Sequence, residues 1–235
     1  MEREYLSREP RQYTKKEKLQ NWFYYNKWWL AVAALIVYVA GSMIWNALGI
    51  GQTKPDYRFA YLGSVRLPEE SAQQLSQALA SLGQDLNGDG QVVVELNQYI
   101  TSNGASTEDM NYAYAAQMSA LADITEGLST FFLMEDPESF QKNFQILAHL
   151  DGSFPDEEDM SAADKVYRWA DCPALMGLEL GIYTDSYLDI TETGRVQDWM
   201  SGMYLGRRYF YDESQQRYPQ GDQAMWEALT EGVKE

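Results

Sequence analysis

The hydrophobic pattern of the chain has one uninterrupted apolar run followed by a long stretch of alternation. From Trp28 to Ile50 it reads WWLAVAALIVYVAGSMIWNALGI, with no charged residue between Lys27 and Lys54. As a helix this run extends about 34 Å, enough to cross the hydrocarbon core of a bilayer. Trp22, Phe23, Tyr24, Tyr25, Trp28 and Trp29 crowd its entry and Trp45 stands near its exit, where amphipathic rings favour the headgroup zone. The pattern predicts a transmembrane helix over 28–50; the competing reading is a buried core helix. Residues 1–27 form a basic, polar juxtamembrane segment, and 51–56 form a linker marked by Gly51 and Pro55.

From Tyr57 onward the periodicity switches between two and 3.6. Tyr57–Leu62 (YRFAYL) reads as a strand closed by Gly63-Ser64. Pro68, Glu69 and Glu70 suit the first turn of a helix whose apolar face is Leu75, Ala78, Leu79 and Leu82, with Gly83 after it. Gln91–Leu96 (QVVVEL) is β-branched and reads as a second strand. After the polar Thr101–Ser106, a second helix capped by Thr107 carries the face Met110, Tyr114, Met118, Leu121 and Ile124, and Gly127 ends it. Ser129–Met134 (STFFLM) is apolar throughout, as in a strand covered on both faces. Asp136 then caps a helix that starts at Pro137 and buries Phe140, Phe144 and Leu147.

This β-α-β-α-β-α order predicts an α/β domain over 57–235, with a mostly parallel sheet and flanking helices. Beyond Gly152 the expected elements are an acidic loop (Phe154–Asp159), a short helix through Val166 and Trp169, and a strand in Leu180–Asp185. Helices around Val196–Tyr204 and Ala224–Val233 follow, with the aromatic Tyr209-Phe210-Tyr211 between them.

Charge orients the span. Residues 1–28 hold seven Lys or Arg and four acids, a net of +3, and the remaining 11 basic and 31 acidic residues give −20. Basic residues flanking a span stay on the cytoplasmic side, so the N-terminus is expected inside and the C-terminal domain extracellular, with the anchor uncleaved. A cleaved secretory signal, with Ala47-Leu48-Gly49 as the site, is the alternative; the length of the apolar run weighs against it. A domain near −20 repels nucleic acid. The single cysteine, Cys172, excludes an internal disulfide and a multi-cysteine metal site.

The sharpest local motif is Asp85-Leu86-Asn87-Gly88-Asp89-Gly90, the start of a calcium loop. Asp85, Asn87, Asp89 and the Gln91 carbonyl would offer oxygens to a structural calcium ion. The acid expected at the twelfth position is Leu96, so a tight helix-to-strand turn built by Asn-Gly and Asp-Gly stands beside the calcium reading. A second candidate is the C-terminal edge of the parallel strands, where open α/β sheets bind ligands. Gly63, Ser64, Asn97, Gln98, Glu135 and Asp136 are expected there, Asp136 also as a helix cap. Catalytic signals are few. The one histidine, His149, reads as a helix-end or surface residue, and Cys172 as a small buried apolar one; no HExxH, G-x-S-x-G, P-loop or dinucleotide pattern occurs.

Over Asp56 to about Leu150 the chain resembles one lobe of a type II extracytoplasmic solute-binding protein. The likeness rests on the first strand ending in Gly-Ser, the amphipathic helix after it, the strand VVVEL, and ADITEGLSTFFLMEDPESF. NWFYYNKWWL before the span, with DLNGDG beyond it, is similar to a group of membrane-anchored proteins of Gram-positive anaerobes, a resemblance that brings no activity with it. Solute-binding proteins close two lobes on a ligand, and the remaining length leaves room for a degenerate or single-lobed form. The resemblance implies a membrane-tethered, non-catalytic binding or accessory protein for a small-molecule or protein ligand outside the cell. The alternatives are a structural, assembly or signalling module of an envelope complex, and a surface hydrolase using carboxylates such as Glu135 and Asp136.

Overall fold

The computed structural model describes residues 14–47, 54–100, 107–156, 159–187, 190–211 and 216–233. The chain divides into two compact units, residues 1–53 and 54–235.

The first unit holds helix α1, Lys15–Ala47. Its start is set by a reciprocal cap: the Thr14 N–H donates to Glu17 Oε2 at 2.9 Å, and the Glu17 N–H donates to Thr14 Oγ1 at 3.4 Å. A T-x-x-E box of this kind satisfies donors the first turn would leave free. Over Lys15–Ile44 the helix is long and apolar enough to cross a membrane, and none of its most apolar window is buried against protein. Leu35, Ile36, Val37, Tyr38 and Met43 are all exposed, so the helix is apolar all round rather than along one stripe. Its few polar groups are satisfied internally: Ser42 Oγ donates to the Val39 carbonyl and Asn26 Nδ2 to that of Trp22, both at 2.8 Å. The expected end of the span at Ile50 and the first half of the linker, 51–53, lie outside the described residues.

In the second unit, strand β1 (Tyr57–Gly63) leads to α2 (Glu69–Ala80), β2 (Val94–Ile100), α3 (Thr107–Glu126), β3 (Phe131–Met134) and α4 (Pro137–Phe144). Then come β4 (Val166–Arg168), a 3₁₀ turn at Trp169–Asp171, α5 (Pro173–Met176), β5 (Ile182–Tyr187), β6 (Ile190–Arg195), α6 (Val196–Met200), β7 (Tyr204–Arg207) and α7 (Pro219–Leu229). Five strands form one sheet in the order β2-β1-β3-β7-β4. β1 lies parallel to both β2 and β3, with Phe59 beside Leu96 on one side and Phe131 on the other. β7 runs antiparallel to β3 and to β4. The unit is α/β as expected, but the sheet is mixed, with parallel pairing confined to β2-β1-β3.

Alternation along the two central strands feeds two cores. Tyr57, Phe59, Tyr61, Phe131 and Leu133 pack on one face with Leu75 and Leu79 of α2, Trp169, Leu175, Met200 and Trp226. Ala60, Leu62, Phe132 and Met134 pack on the other with Ile124, Phe140 and Leu147. Phe59 and Phe131 stack with ring centroids 4.9 Å apart. An entirely apolar β3 is what burial on both faces requires.

Several expectations are corrected. On α3 it is Ala120, Asp123 and Ile124 that are buried, whereas Tyr114, Met118 and Leu121 are exposed. The segment through Val166 is strand β4, and the helix at Val196 stops at Met200 so that Tyr204 can begin β7. The expected strand at Leu180–Asp185 is β5, but it pairs with β6 as a separate hairpin and takes no place in the main sheet. α4 ends at Phe144, with Gln145 in the left-handed conformation (φ 52°), so His149 is not on a helix. Thr107 and Met110 belong to α3, but their side chains lie outside the described set.

Candidate functional site

At the C-terminal edge of the parallel strands, four of the six expected residues, Gly63, Ser64, Glu135 and Asp136, lie together. The Ser64 N–H donates to Glu135 Oε2 at 2.5 Å, and the Glu135 N–H returns to the Leu62 carbonyl at 2.9 Å, tying the β1 and β3 ends together. Gly63 suits this position because a Cβ there would lie 2.6 Å from the Tyr61 hydroxyl. Asp136 accepts from the Ser139 N–H at 3.0 Å and its hydroxyl at 2.6 Å, the cap its sequence context predicts. Those Ser139 bonds, the hydroxyl's first, hold its carboxyl below the usual range. Glu135 and Asp136 border a depression of about 570 Å³ shared with Glu138, Arg168, Asp171 and Tyr204.

Asn97 and Gln98 do not join that depression. They line another, of about 500 Å³, along the outer edge of β2 beside Arg66, Glu69 and Gln73. Gln98 Oε1 accepts the Leu67 N–H at 2.9 Å, which braces the connection into α2.

The DLNGDG loop is a dense turn. Asp85 accepts the N–H groups of Gly88 and Gly90 at 2.7 and 2.8 Å, Asn87 Oδ1 that of Asp89 at 2.9 Å, and Asp89 Oδ1 that of Gln91 at 2.9 Å. Gly88 and Gly90 take φ of 77° and 87°, conformations that glycine adopts without strain. The N–H of Gly90, ahead of other loop amides, holds the Asp85 carboxyl below its ordinary value. Asp56, buried just before β1, pins the loop to the sheet by accepting from Leu86, Asn87 and Val93 at 2.8, 3.1 and 2.8 Å. These bonds are the ones a helix-to-strand turn calls for.

A cluster that pattern reading missed joins His149, Asp159 and Asp164, whose donor atoms lie within 4.8 Å of one another. His149 Nδ1 is 2.8 Å from Asp164 Oδ2. The fully buried Lys165 brings its Nζ to 2.5 Å from Asp159 and 3.0 Å from Asp164. An ammonium therefore already bridges these two carboxylates. Burial pushes the Lys165 pKa down, but the hydrogen bonds to Asp159 and Asp164 outweigh it and leave the pKa raised. Cys172 is buried, and desolvation pushes its thiol up to about 11, away from nucleophilic use.

The N-terminal edge of the same strands was also missed. There a cavity of about 390 Å³ is lined by Phe131, Phe154, Arg207, Arg208, Tyr209, Asp222 and Gln223, among others. Arg207 reaches it because β7 runs antiparallel, which sets Arg207 beside Phe131 at the start of β3. No linear motif brings β7, the loop at Asp151 and α7 together, so no sequence signal marks the pocket.

Comparison of the chain with known protein families, with curated proteins and with solved structures finds no match.

Proposed function

We propose that this protein is a membrane-tethered binding or accessory protein whose α/β unit is displayed outside the cell. The observation that carries the reading is the division of the chain: an apolar helix with no protein packed on it precedes a unit that holds both hydrophobic cores. The +3 and −20 charge split across the helix supports a cytoplasmic N-terminus.

The resemblance to a solute-binding lobe draws support from connectivity. In a two-lobed binder the chain must leave one lobe, build the other and return. Here residues 169–203 leave the sheet after β4 and come back as β7, inserted between β3 and β4. That excursion contains the β5-β6 hairpin and two short helices, a reduced counterpart of a second lobe. In this reading the ligand sits at the C-terminal edge, where Ser64 and Glu135 meet.

Topology is tested with single cysteines, for which the buried Cys172 is a silent background. A membrane-impermeant maleimide should label Ser153→Cys in intact cells, and Lys16→Cys only after permeabilisation. The reverse pattern would sink the orientation.

A further inference from the structure

Two buried charged side chains of opposite sign line the N-terminal-edge cavity without pairing with each other. Asp222, in the first turn of α7, is 9% exposed, and among the described residues its carboxyl accepts no hydrogen bond. Burial is the cause that acts on it, and pushes it up to about 7. Arg207 is likewise 9% exposed. Its guanidinium donates to two neutral acceptors, Gln223 Oε1 at 2.7 Å and the Leu150 carbonyl at 3.1 Å, its Nε has no acceptor among the described residues, and Asp151 on the same cavity wall acts on it through space. It lies over the Trp226 ring at 4.7 Å, and desolvation lowers its pKa. Arg208 lines the same cavity; one of its terminal nitrogens donates to the Ile124 carbonyl and the other has no acceptor among the described residues.

A largely buried carboxyl with no donor, and a buried guanidinium that feels the charge of Asp151 but makes no ion pair, both among the described residues, are each costly. Both costs fall if one bound molecule brings an ammonium to the first and a carboxylate to the second. A simple anion would meet Asp222, and a simple amine would meet two arginines, so neither relieves both. The lining between them is mixed: Asp151, Gln216 and Gln223 are polar, and Phe131, Phe154 and Tyr209 supply aromatic faces. Phe131 is fully buried, and Phe154 packs against Tyr209 with centroids 5.7 Å apart, all three lining the cavity. Such walls accept an uncharged side chain and a cationic headgroup alike.

We infer that this cavity is a binding site for a small zwitterion of the α-amino-acid type, with its ammonium on Asp222 and its carboxylate on Arg207 and Arg208. The site stands on the α/β unit alone, lies at the sheet edge opposite Ser64 and Glu135, and does not depend on the orientation of the anchor.

The test is calorimetry on the full chain in detergent, in an amine-free buffer, with L-leucine, L-phenylalanine and L-glutamine, and with phenylacetate and phenethylamine as half-ligands. At least one amino acid should bind, and each half-ligand at least tenfold more weakly than L-phenylalanine or than the best amino acid. Asp222→Asn should lose at least tenfold in that affinity while melting at a higher temperature than the wild type, so that lost binding cannot be put down to misfolding. Absence of binding by all three amino acids, equal binding of a half-ligand, or unchanged affinity in Asp222→Asn would each overturn the assignment.

Discussion

Asp222 shows how one residue can oppose stability in the free protein. Its folded carboxyl titrates near 7, against about 4 in an unfolded chain. The folded state therefore holds the proton more tightly, and stability falls as pH rises from about 4 to about 7. Above 7 the full cost, about 4 kcal/mol, is present; below 4 it is gone. Asp56 and Tyr57 contribute to the same surroundings, because both Asp222 and Asp56 act on the Tyr57 hydroxyl. Asp222→Asn is expected to stabilise the protein by about 2–4 kcal/mol at pH 8, with the gain vanishing near pH 4. Urea unfolding of both forms across that range measures it, and a pH-independent difference would refute the account. Asp56 is the contrasting case, a buried carboxylate whose three N–H donors make it a fastening between β1 and the DLNGDG loop.

At the scale of elements, β7 decides the character of the sheet. It is short, and its centre is Gly206, where a Cβ would lie 2.9 Å from Met134 Cε, 3.0 Å from Leu147 and 3.3 Å from Val166. The missing side chain lets β3, β4 and the segment after α4 close over the strand. Gly206→Ala is expected to cost about 1–3 kcal/mol through overpacking, read as a lower urea midpoint with an unchanged slope; a neutral result would mean the neighbours yield freely. Helix α3 shows the limit of periodicity. Its apolar stripe is genuine, but the sheet takes only the end near Ile124, where buried Asp123 accepts from the hydroxyls of Tyr99 at 2.6 Å and Ser129 at 2.7 Å. Tyr114, Met118 and Leu121 stay in solvent, because a face is buried only where an opposing layer exists to cover it.

For the whole molecule, both cores lie beyond residue 53. A fragment starting at Lys54 is therefore expected to be soluble and monodisperse and to unfold in one cooperative transition at the temperature of the full chain. Aggregation, or a melting point lower by more than about 5 °C, roughly a 2 kcal/mol loss for a domain this size, would show that the N-terminal helix contributes to the fold.

The features legible in the sequence were those that depend on neighbours close along the chain. The apolar run announces the first helix, since crossing a bilayer is a matter of length and composition. The strands and helices from Tyr57 to Phe144, the Asp136 cap and the glycine turns at Gly88 and Gly90 likewise follow from local periodicity and backbone chemistry. Tertiary structure alone decided which strands pair, that β7 enters antiparallel between β3 and β4, and that β5 leaves the sheet for a hairpin. Pairing is set by packing between distant segments, and four residues such as Tyr204–Arg207 carry too little pattern to announce it. The same reason hid the sites. Lys165 reaches between Asp159 and Asp164 beside His149 through loop geometry, and Arg207 meets Asp222 in one cavity only once β7 and α7 have converged on the sheet's N-terminal edge.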